Sequence, residues 1–205
     1  MDQNEKIDGM ENGKPKEEKT SPGKTLLLYI HDLAYLISIM MVVFLLLFRV
    51  VVVSGPSMEN TLQNGDYLLL LSGVLYNQPQ QGDIIVASKD SFENGVPIVK
   101  RVIATEGQTV DIDFMQGIVY VDGVALDEPY ISTPTNNSEG IRFPLTVDEG
   151  CIFVLGDNRA VSCDSRNPRV GLLDEREILG KAIFLFLPGS DPVAGRDLGR
   201  IGVVD

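Results

Sequence analysis

The longest apolar stretch of the chain is TLLLYIHDLAYLISIMMVVFLLLFRVVVV, residues 25–53. His31 and Asp32 interrupt it near its beginning, whereas Leu33 to Phe48 is uninterrupted apart from Ser38. At about 1.5 Å per residue, a helix of this length can cross the ~30 Å hydrocarbon core of a bilayer. The pattern therefore predicts a transmembrane anchor followed by a short juxtamembrane strand.

Two other kinds of segment share this composition. A cleaved signal peptide has a shorter apolar core and a small-residue cleavage site soon after it. Only the weak candidate VVVSG stands between the apolar core and Ser57. The second alternative is the buried core helix of a soluble domain, in which so long an apolar run is rare. A membrane anchor fits the pattern best.

The flanking charges indicate an orientation for this anchor. The basic residues close to it on the N-terminal side are Lys14, Lys16, Lys19 and Lys24. Beyond the apolar run, Arg49 is followed by no basic residue until Lys89. Because an excess of Lys and Arg marks the cytoplasmic flank, we expect the N-terminus to be cytoplasmic and residues 54–205 extracytoplasmic. Residues 1–24 are polar and lack apolar periodicity, which predicts a disordered tail.

Residues 54–205 consist of short apolar runs separated by turn signals such as Asn-Gly and Asp-Gly. The runs are DYLLLL, GDIIVAS, PIVKRVIA, TVDID, GIVYVDGVAL, CIFVLG and KAIFLFL. Their Val, Ile, Leu, Phe and Tyr content predicts β-strands, with a hairpin turn at Asp122-Gly123. Only LLDEREILG, residues 172–180, has helical character. The sequence therefore predicts a mainly β domain, barrel-like or a sandwich.

Composition excludes several kinds of partner. The chain has 205 residues and a net charge of −12, whereas nucleic-acid binding needs a basic face. His31, Cys151 and Cys163 are too few and too widely spaced for a zinc site built from Cys and His. We therefore expect no nucleic acid, no metal and no cofactor. The two cysteines form one disulfide or remain free thiols, and their spacing does not decide.

Ser57 and Lys100 are candidates for a nucleophile and its base. Ser57 stands in the turn SGPSMENTL shortly after the anchor, and the single histidine lies too far away to activate it. Lys100 lies within VPIVKRVIATEG, where a strand would bury alternate residues. Burial would lower the pKa of Lys100, so that its neutral amine could accept the serine proton. Arg101 would then face solvent or an acid.

Each of these two residues also has an ordinary structural explanation. A serine beside Gly-Pro is commonly a turn residue, and a strand lysine commonly reaches out to solvent. A third segment, GDNRAVSCDSR, is a dense polar loop after an apolar strand. In it, Asp164 and Arg166 can pair, and Ser162 or Ser165 can orient a buried lysine. A polar surface loop would have a similar composition.

The segments SGPSMENTL, GDIIV, VKRVIATEG and GDNRAVSCDSR follow one another in this order behind a single N-terminal anchor. In this the chain resembles the bacterial type I signal peptidases, from about residue 30 to residue 188. The block Gly-Asp-Asn-Arg…Ser-x-Asp-Ser-Arg is the most specific of the motifs. The resemblance implies an antiparallel β-sheet catalytic domain over residues 54–205, with a small inserted β region at about 108–150.

The resemblance also implies roles for individual residues. Ser57 matches the nucleophile, Lys100 the general base, Ser162 the serine that hydrogen-bonds this lysine, and Asp164 and Arg166 a supporting ion pair. The family's substrate pocket is shallow and apolar, and it fits small side chains at positions −1 and −3 of the cleaved peptide. The residues that match its lining are Val51, Val53, Met58, Leu62, Ile98 and Val99.

Some positions depart from the family pattern. Asn60 stands where proline is usual, and Ala104–Gly107 stands where Gly-x-Pro-Gly is usual. The Ser57 backbone N–H is expected to donate to the oxyanion. Gly55 occupies the place where some members carry an assisting hydroxyl, and Ser54 is one residue too early to replace it.

The implied function is that of a membrane-bound serine endopeptidase that removes N-terminal signal peptides from exported preproteins. The implied partners are signal peptides, membrane lipid and a nearby secretion translocon. One alternative is a related Ser-Lys maturation peptidase for a dedicated secreted partner, or a self-cleaving regulator. The other is a non-enzymatic, membrane-tethered β domain that binds partners, for which replacing Ser57 or Lys100 would leave function intact.

Overall fold

The computed structural model describes residues 22–191 and 195–204. Contacts divide the chain into two compact units, one ending at Val42 and one beginning at Val43. Most of the expected disordered tail, residues 1–21, lies outside the described residues. Its last residues, from Pro22, already belong to a helix.

This helix, α1, runs from Pro22 to Leu47 and contains most of the long apolar stretch, whose later residues form a strand. The most apolar 18-residue window of Gly23–Leu47 has a mean hydropathy of 2.2, and by length and composition this segment could cross a membrane. None of the residues in the helix's most apolar window is buried within the chain. A helix that is apolar all round is suited to a surrounding of lipid or protein.

The residues after the helix form antiparallel sheets. In the described part of the chain, the strands are β1 (Phe48–Val52), β2 (Tyr67–Ser72), β3 (Ile84–Ala87), β4 (Ile98–Thr105), β5 (Thr109–Asp113), β6 (Ile118–Val121), β7 (Val124–Ala125), β8 (Leu145–Thr146), β9 (Cys151–Leu155), β10 (Leu173–Asp174), β11 (Ile178–Leu187), β12 (Ser190–Asp191), β13 (Gly195–Arg196) and β14 (Gly202–Val203). Their pairings are all antiparallel. The predicted mainly β, antiparallel fold is thus confirmed.

The largest sheet has eight strands, in the order β1-β2-β11-β3-β4-β9-β10, with β14 added to β11. Its longest strand, β11, pairs with β2 and β3, and register shifts interrupt both pairings. Such irregularities bend a strand and increase its local twist. The sheet therefore curls, and one of its faces contributes to a core cluster that includes Leu68, Leu70, Ile84, Val86 and Ala182.

A second sheet, in the order β7-β6-β5-β8, lies in the chain between β4 and β9, within the region expected for the insertion. Asp122 and Gly123 have φ values of 52° and 78° and form the predicted hairpin turn between β6 and β7. The apolar residues of β5 and β6 share one core cluster with Ile103 of β4 and Phe153 of β9. The inserted sheet is therefore packed against strands of the main sheet.

The helical expectation for residues 172–180 is wrong except for one turn. Glu175–Glu177 form a 3-10 turn that Asp174 and Glu177 cap reciprocally. Leu173 on one side pairs with β9, and Ile178 on the other begins β11. Both apolar side chains are buried in the same core cluster, so tertiary packing overrides the local helical preference.

The close approach of β11 to β2 at Gly180 gives a test of this fold. A methyl group at Gly180 would clash with the carbonyl oxygen of Leu71. We expect Gly180→Ala to lower the free energy of unfolding by about 1–3 kcal/mol, because backbone on both sides resists movement. Gly202→Ala on β14 is the control, since nothing lies within 4 Å of its added methyl. Urea unfolding of the full chain in detergent, followed by circular dichroism, measures both, and equal midpoints would contradict the packing described.

Candidate active site

Ser57 lies in a tight turn between β1 and β2. Gly55 has a φ of 90°, which glycine adopts without steric cost, and its N–H donates to Asn64 Oδ1 at 3.0 Å. Met58 and Leu62 anchor the turn in the core below it. Ser57 itself is half-buried, with its side chain free to meet a partner on β4.

Lys100 is that partner. It is 4% exposed, and its Nζ donates to Ser57 Oγ at 2.9 Å and to the Val99 carbonyl oxygen at 3.1 Å. Strand β4 pairs with β3 on one side and β9 on the other, so the lysine is held in the middle of the sheet. The structure therefore brings together the two residues that the sequence analysis paired.

Burial sets the protonation of this lysine. Desolvation disfavours the ammonium and lowers the pKa of Lys100 below its ordinary value of 10.5. Asp164 is the strongest opposing influence, because its negative charge attracts the ammonium, and Cys163, Asp157 and Glu93 add less. The net direction is downward, so more of the amine is neutral near neutral pH than for an exposed lysine.

Arg101 points to the opposite face of β4, and it meets an acid there. Its Nε and Nη2 donate to the two carboxylate oxygens of Asp157, each at 2.9 Å. The Tyr130 ring lies 4.0 Å from the guanidinium carbon. Asp157 also accepts a hydrogen bond from the Thr61 hydroxyl, which belongs to the turn of Ser57. This network fixes β4, the polar loop and the serine turn to one another.

The polar loop, residues 156–166, is folded around the expected ion pair. Asp164 accepts from Arg166 Nε at 2.8 Å and from Nη2 at 2.9 Å, and both residues are fully buried. Asp164 also accepts the Gly156 N–H at 3.0 Å, which closes the loop on its own beginning. The Asn158 N–H donates to the Ser57 carbonyl oxygen at 3.0 Å, so that the loop also holds the serine turn.

Ser162 does not make the bond to Lys100 that the resemblance implies. Its Oγ is buried and has no hydrogen-bond partner within the described residues. The lysine instead donates to Ser57 and Val99, which hold its Nζ. A side chain at Gly156 would meet both Ser162 Oγ and the Ser57 carbonyl oxygen. The Ser162 hydroxyl therefore lies beside the Ser57 backbone, unsatisfied.

Sequence analysis missed a second arginine of this loop. Arg159 is fully buried, and its guanidinium pairs with Glu128 and donates to the Thr135 hydroxyl and the Gly156 carbonyl oxygen. Glu128 and Thr135 belong to the inserted region, far from Arg159 in the chain. No sequence spacing predicts the contact of Arg159 with Glu128 and Thr135. The sequence feature that could have pointed to Arg159 is its place in the Gly-Asp-Asn-Arg block.

A cavity of about 290 Å³ adjoins the serine and the lysine. It lies between the chain that leaves β1 and the segment that enters β4. Its lining is mostly apolar, and four of the residues expected to bind substrate belong to it: Val51, Val53, Ile98 and Val99.

The other two expected pocket residues lie elsewhere. Met58 and Leu62 are 1% and 0% exposed, and they belong to the core cluster under the serine turn rather than to the cavity lining. The Leu62 N–H donates to the Met58 carbonyl oxygen, as in one turn of helix. This geometry directs both side chains to the same inner face, away from the cavity.

The backbone N–H groups near Ser57 differ in what they bind. The Gly55 N–H is occupied by Asn64, whereas the Ser57 N–H has no acceptor within the described part of the chain. Gly55 provides no side chain, and Ser54 is exposed. The Gly55 N–H is therefore not available to a developing oxyanion, whereas the Ser57 N–H is.

Cys151 and Cys163 are free thiols, and burial raises the pKa of each. Cys163 lines the cavity beside Lys100, but it contacts no histidine that could activate it. The described residues contain no group of three His, Cys, Asp or Glu side chains placed to hold a metal ion.

A family profile and the curated sequence relatives of this chain agree on a family. A signal peptidase I from Enterococcus faecalis V583, known from its crystal structure, is 34% identical and has a TM-score of 0.42, covering 51% of this chain and 96% of its own. Signal peptidase I of Bacillus licheniformis is 32% identical over 84% of this chain and 95% of that protein. A probable signal peptidase I-1 of Synechocystis is 39% identical over 67% of this chain and 70% of that protein. The family profile described as "Signal peptidase, peptidase S26" matches residues 26–187. The chain belongs to the signal peptidase family.

One departure from the signal peptidase pattern has a structural counterpart. Asn60, where proline is usual in the family, has a φ of 81°. The proline ring fixes φ near −65°, whereas asparagine tolerates the left-handed region. The turn after Ser57 therefore has a backbone that proline could not adopt, although the contact between Ser57 and Lys100 is present.

The buried amine of Lys100 should lower stability at neutral pH. The unfolded state binds the proton more strongly than the folded state, so wild-type stability rises with pH until Lys100 is neutral in both states, above pH 10.5. We expect Lys100→Met to raise the free energy of unfolding at pH 7 by about 1–2 kcal/mol and the gain to shrink toward pH 10.5. Lys181→Met is the control, because Lys181 is paired with Asp83 and its loss should destabilise. Urea unfolding at several pH values measures this, and a pH-independent difference would contradict it.

The buried pair of Arg159 and Glu128 should matter more than an exposed pair. Arg159→Lys retains the charge but loses the planar fork, and we expect it to cost about 3 kcal/mol because a buried carboxylate loses partners. Arg176→Lys is the matched control, since Arg176 is 90% exposed beside Asp174 and should leave the unfolding midpoint unchanged. Equal urea midpoints for the two variants would show that the ion pair between Arg159 and Glu128 contributes no more to stability than an exposed pair.

Proposed function

We propose that this chain is a membrane-anchored serine endopeptidase that removes signal peptides from exported preproteins, with Ser57 as nucleophile and Lys100 as general base. The observation that carries the proposal is the 2.9 Å contact between Lys100 Nζ and Ser57 Oγ. Burial lowers the pKa of this lysine, and among the described residues no other basic side chain lines the cavity beside Ser57. Membership of the signal peptidase family supports the same reaction.

The first half of the proposed reaction forms an acyl-enzyme. Ser57 Oγ attacks the carbonyl carbon of the scissile peptide bond, and its proton passes to the neutral amine of Lys100. The tetrahedral intermediate collapses as the Lys100 ammonium gives this proton to the leaving nitrogen. The mature protein departs with a new N-terminus, and the signal peptide remains as an ester on Ser57.

The second half regenerates the serine. Lys100 takes a proton from a water molecule, which attacks the ester carbon, and then returns the proton to Ser57 Oγ. The signal peptide leaves with a free carboxylate. In both halves the charge that develops on the carbonyl oxygen is stabilised by the unoccupied Ser57 N–H.

Ser162 and the ion pairs have supporting roles in this proposal. Once Ser57 is an ester, Lys100 loses a hydrogen-bond partner, and the buried, unsatisfied Ser162 hydroxyl is suited to replace it. Asp164 and Arg166 hold the loop that carries Ser162. These side chains would position the lysine without contacting the scissile bond.

The cavity fits the proposed substrate class. Its volume of about 290 Å³ and its lining by Val51, Val53, Ile98 and Val99 suit small apolar side chains that precede the scissile bond. Strand β1 is an edge strand of the large sheet, so an extended peptide can pair along it. Main-chain pairing would bind many different signal peptides, while the cavity selects small residues.

The anchor would deliver the site to its substrate. Helix α1 ends at Leu47, and only β1 and a short loop separate it from Ser57. The lysines on the N-terminal side support a cytoplasmic tail at residues 1–24 and an extracytoplasmic peptidase domain at residues 54–205. Tethering to lipid, near a secretion translocon, would raise the local concentration of emerging signal peptides.

Cleavage of a preprotein in detergent by the full chain tests the proposal. We expect Ser57→Ala and Lys100→Ala to lower kcat by about 10³-fold or more, and Ser132→Ala, an exposed serine outside the cavity, to have no effect. Wild-type activity should rise with pH through an apparent pKa below 10.5, because the neutral amine is the base. Full activity of either alanine variant would overturn the assignment and favour a tethered binding domain.

A further inference from the structure

The loop between β3 and β4 contains a left-handed turn that the proposed mechanism does not use. Glu93, Asn94 and Gly95 have φ values of 47°, 58° and 77°. Glycine adopts such angles freely and asparagine tolerates them, but a glutamate side chain makes them unfavourable. Glu93 is therefore held in a conformation that its residue type opposes.

Contacts on both sides of this turn impose the conformation. Phe92 is buried in the core, and the guanidinium carbon of Arg169 lies 5.2 Å from the centre of its ring. The Gly95 N–H donates to the Phe92 carbonyl oxygen at 3.0 Å, and the Gly95 carbonyl oxygen accepts from the Ser88 hydroxyl at 2.7 Å. Strain that the surroundings maintain at the edge of a site points to a role for the residue that bears it.

Glu93 lines the same cavity as Ser57 and Lys100. Of the described residues around this cavity, it is the only one with a carboxylate, and Lys100 is the only one with a basic side chain. The Glu93 carboxylate is near enough to act electrostatically on the Lys100 ammonium. When Lys100 is neutral, as the proposed mechanism requires, Glu93 gives the cavity one negative charge.

We infer that Glu93 is a specificity-determining residue that favours substrates with Lys or Arg shortly before the scissile bond and disfavours Asp or Glu there. The inference rests on the proposed function, since the cavity must hold that part of the substrate. A single charge beside a partly desolvated groove discriminates between opposite charges and acts less strongly at high salt. Glu93 would thus add a charge preference to the selection of small residues.

The test uses the full chain in detergent and matched peptides with Lys, Gln or Glu at position −2, −4 or −5. At one of these positions we expect wild-type kcat/KM to be about fivefold to tenfold higher for the Lys peptide than for the Glu peptide at low salt. Glu93→Gln should reduce this ratio to within about twofold, and Glu93→Lys should invert it. Asp90→Asn is the matched control, because Asp90 is an exposed carboxylate of the same loop that does not line the cavity.

Glu93→Asn guards against misfolding, because asparagine suits the left-handed turn and also removes the charge. An unchanged ratio of kcat/KM between the Lys and Glu peptides in Glu93→Gln and Glu93→Asn would overturn the inference. An equal loss of activity of these variants on the Lys, Gln and Glu peptides would overturn it as well. Cleavage of the Gln peptide by the wild type and not by Ser57→Ala would show that the proposed function stands independently. Failure of the wild type to cleave any peptide would remove both.

Discussion

The site depends on keeping one amine both buried and free of a tight ion pair. Lys100 is nearly inaccessible and touches Ser57, yet Asp157 and Asp164 lie close enough to favour its protonated form. Each of these acids is bonded by its own guanidinium, Asp157 by Arg101 and Asp164 by Arg166. Because the arginines offset the acids' charge, burial is left as the larger influence on the lysine. The ion pairs of the site thus influence the pKa of Lys100 and also hold the polar loop in its conformation.

The curl of the large sheet brings the parts of the site together. Strand β1 is at one edge and β4 is several strands away, yet Val51 and Val99 line one cavity. The core cluster that includes Leu68 and Leu70 also contains Val53, and Val99 packs against it. The polar loop after β9 is joined to the serine turn by the hydrogen bond from the Asn158 N–H to the Ser57 carbonyl oxygen. Three segments that are distant in the chain therefore meet without a long structureless connection.

Local patterns could predict the strands and the pairing of chemistry, but not the long-range polar contacts. Alternating apolar residues located most strands, and the inventory of bases left Lys100 as the partner for Ser57. Met58 and Leu62 were wrongly expected to line the substrate pocket. A residue close to the nucleophile in sequence can belong to the core beneath the site as readily as to the pocket lining. The ion pair between Arg159 and Glu128 joins two regions that are distant in the chain. They meet because the inserted sheet packs against the main sheet, which the sequence pattern does not reveal. Ser162 was assigned a bond that depends on one rotatable hydroxyl, which sequence does not determine.

The two free thiols have a consequence for where and how this chain can mature. Disulfides are common in proteins of oxidising compartments, but in this chain neither Cys151 nor Cys163 takes part in a covalent bridge. The cohesion of the domain comes instead from buried arginine–carboxylate pairs and three clusters of buried apolar residues. Formation of this fold therefore does not require a disulfide to be made.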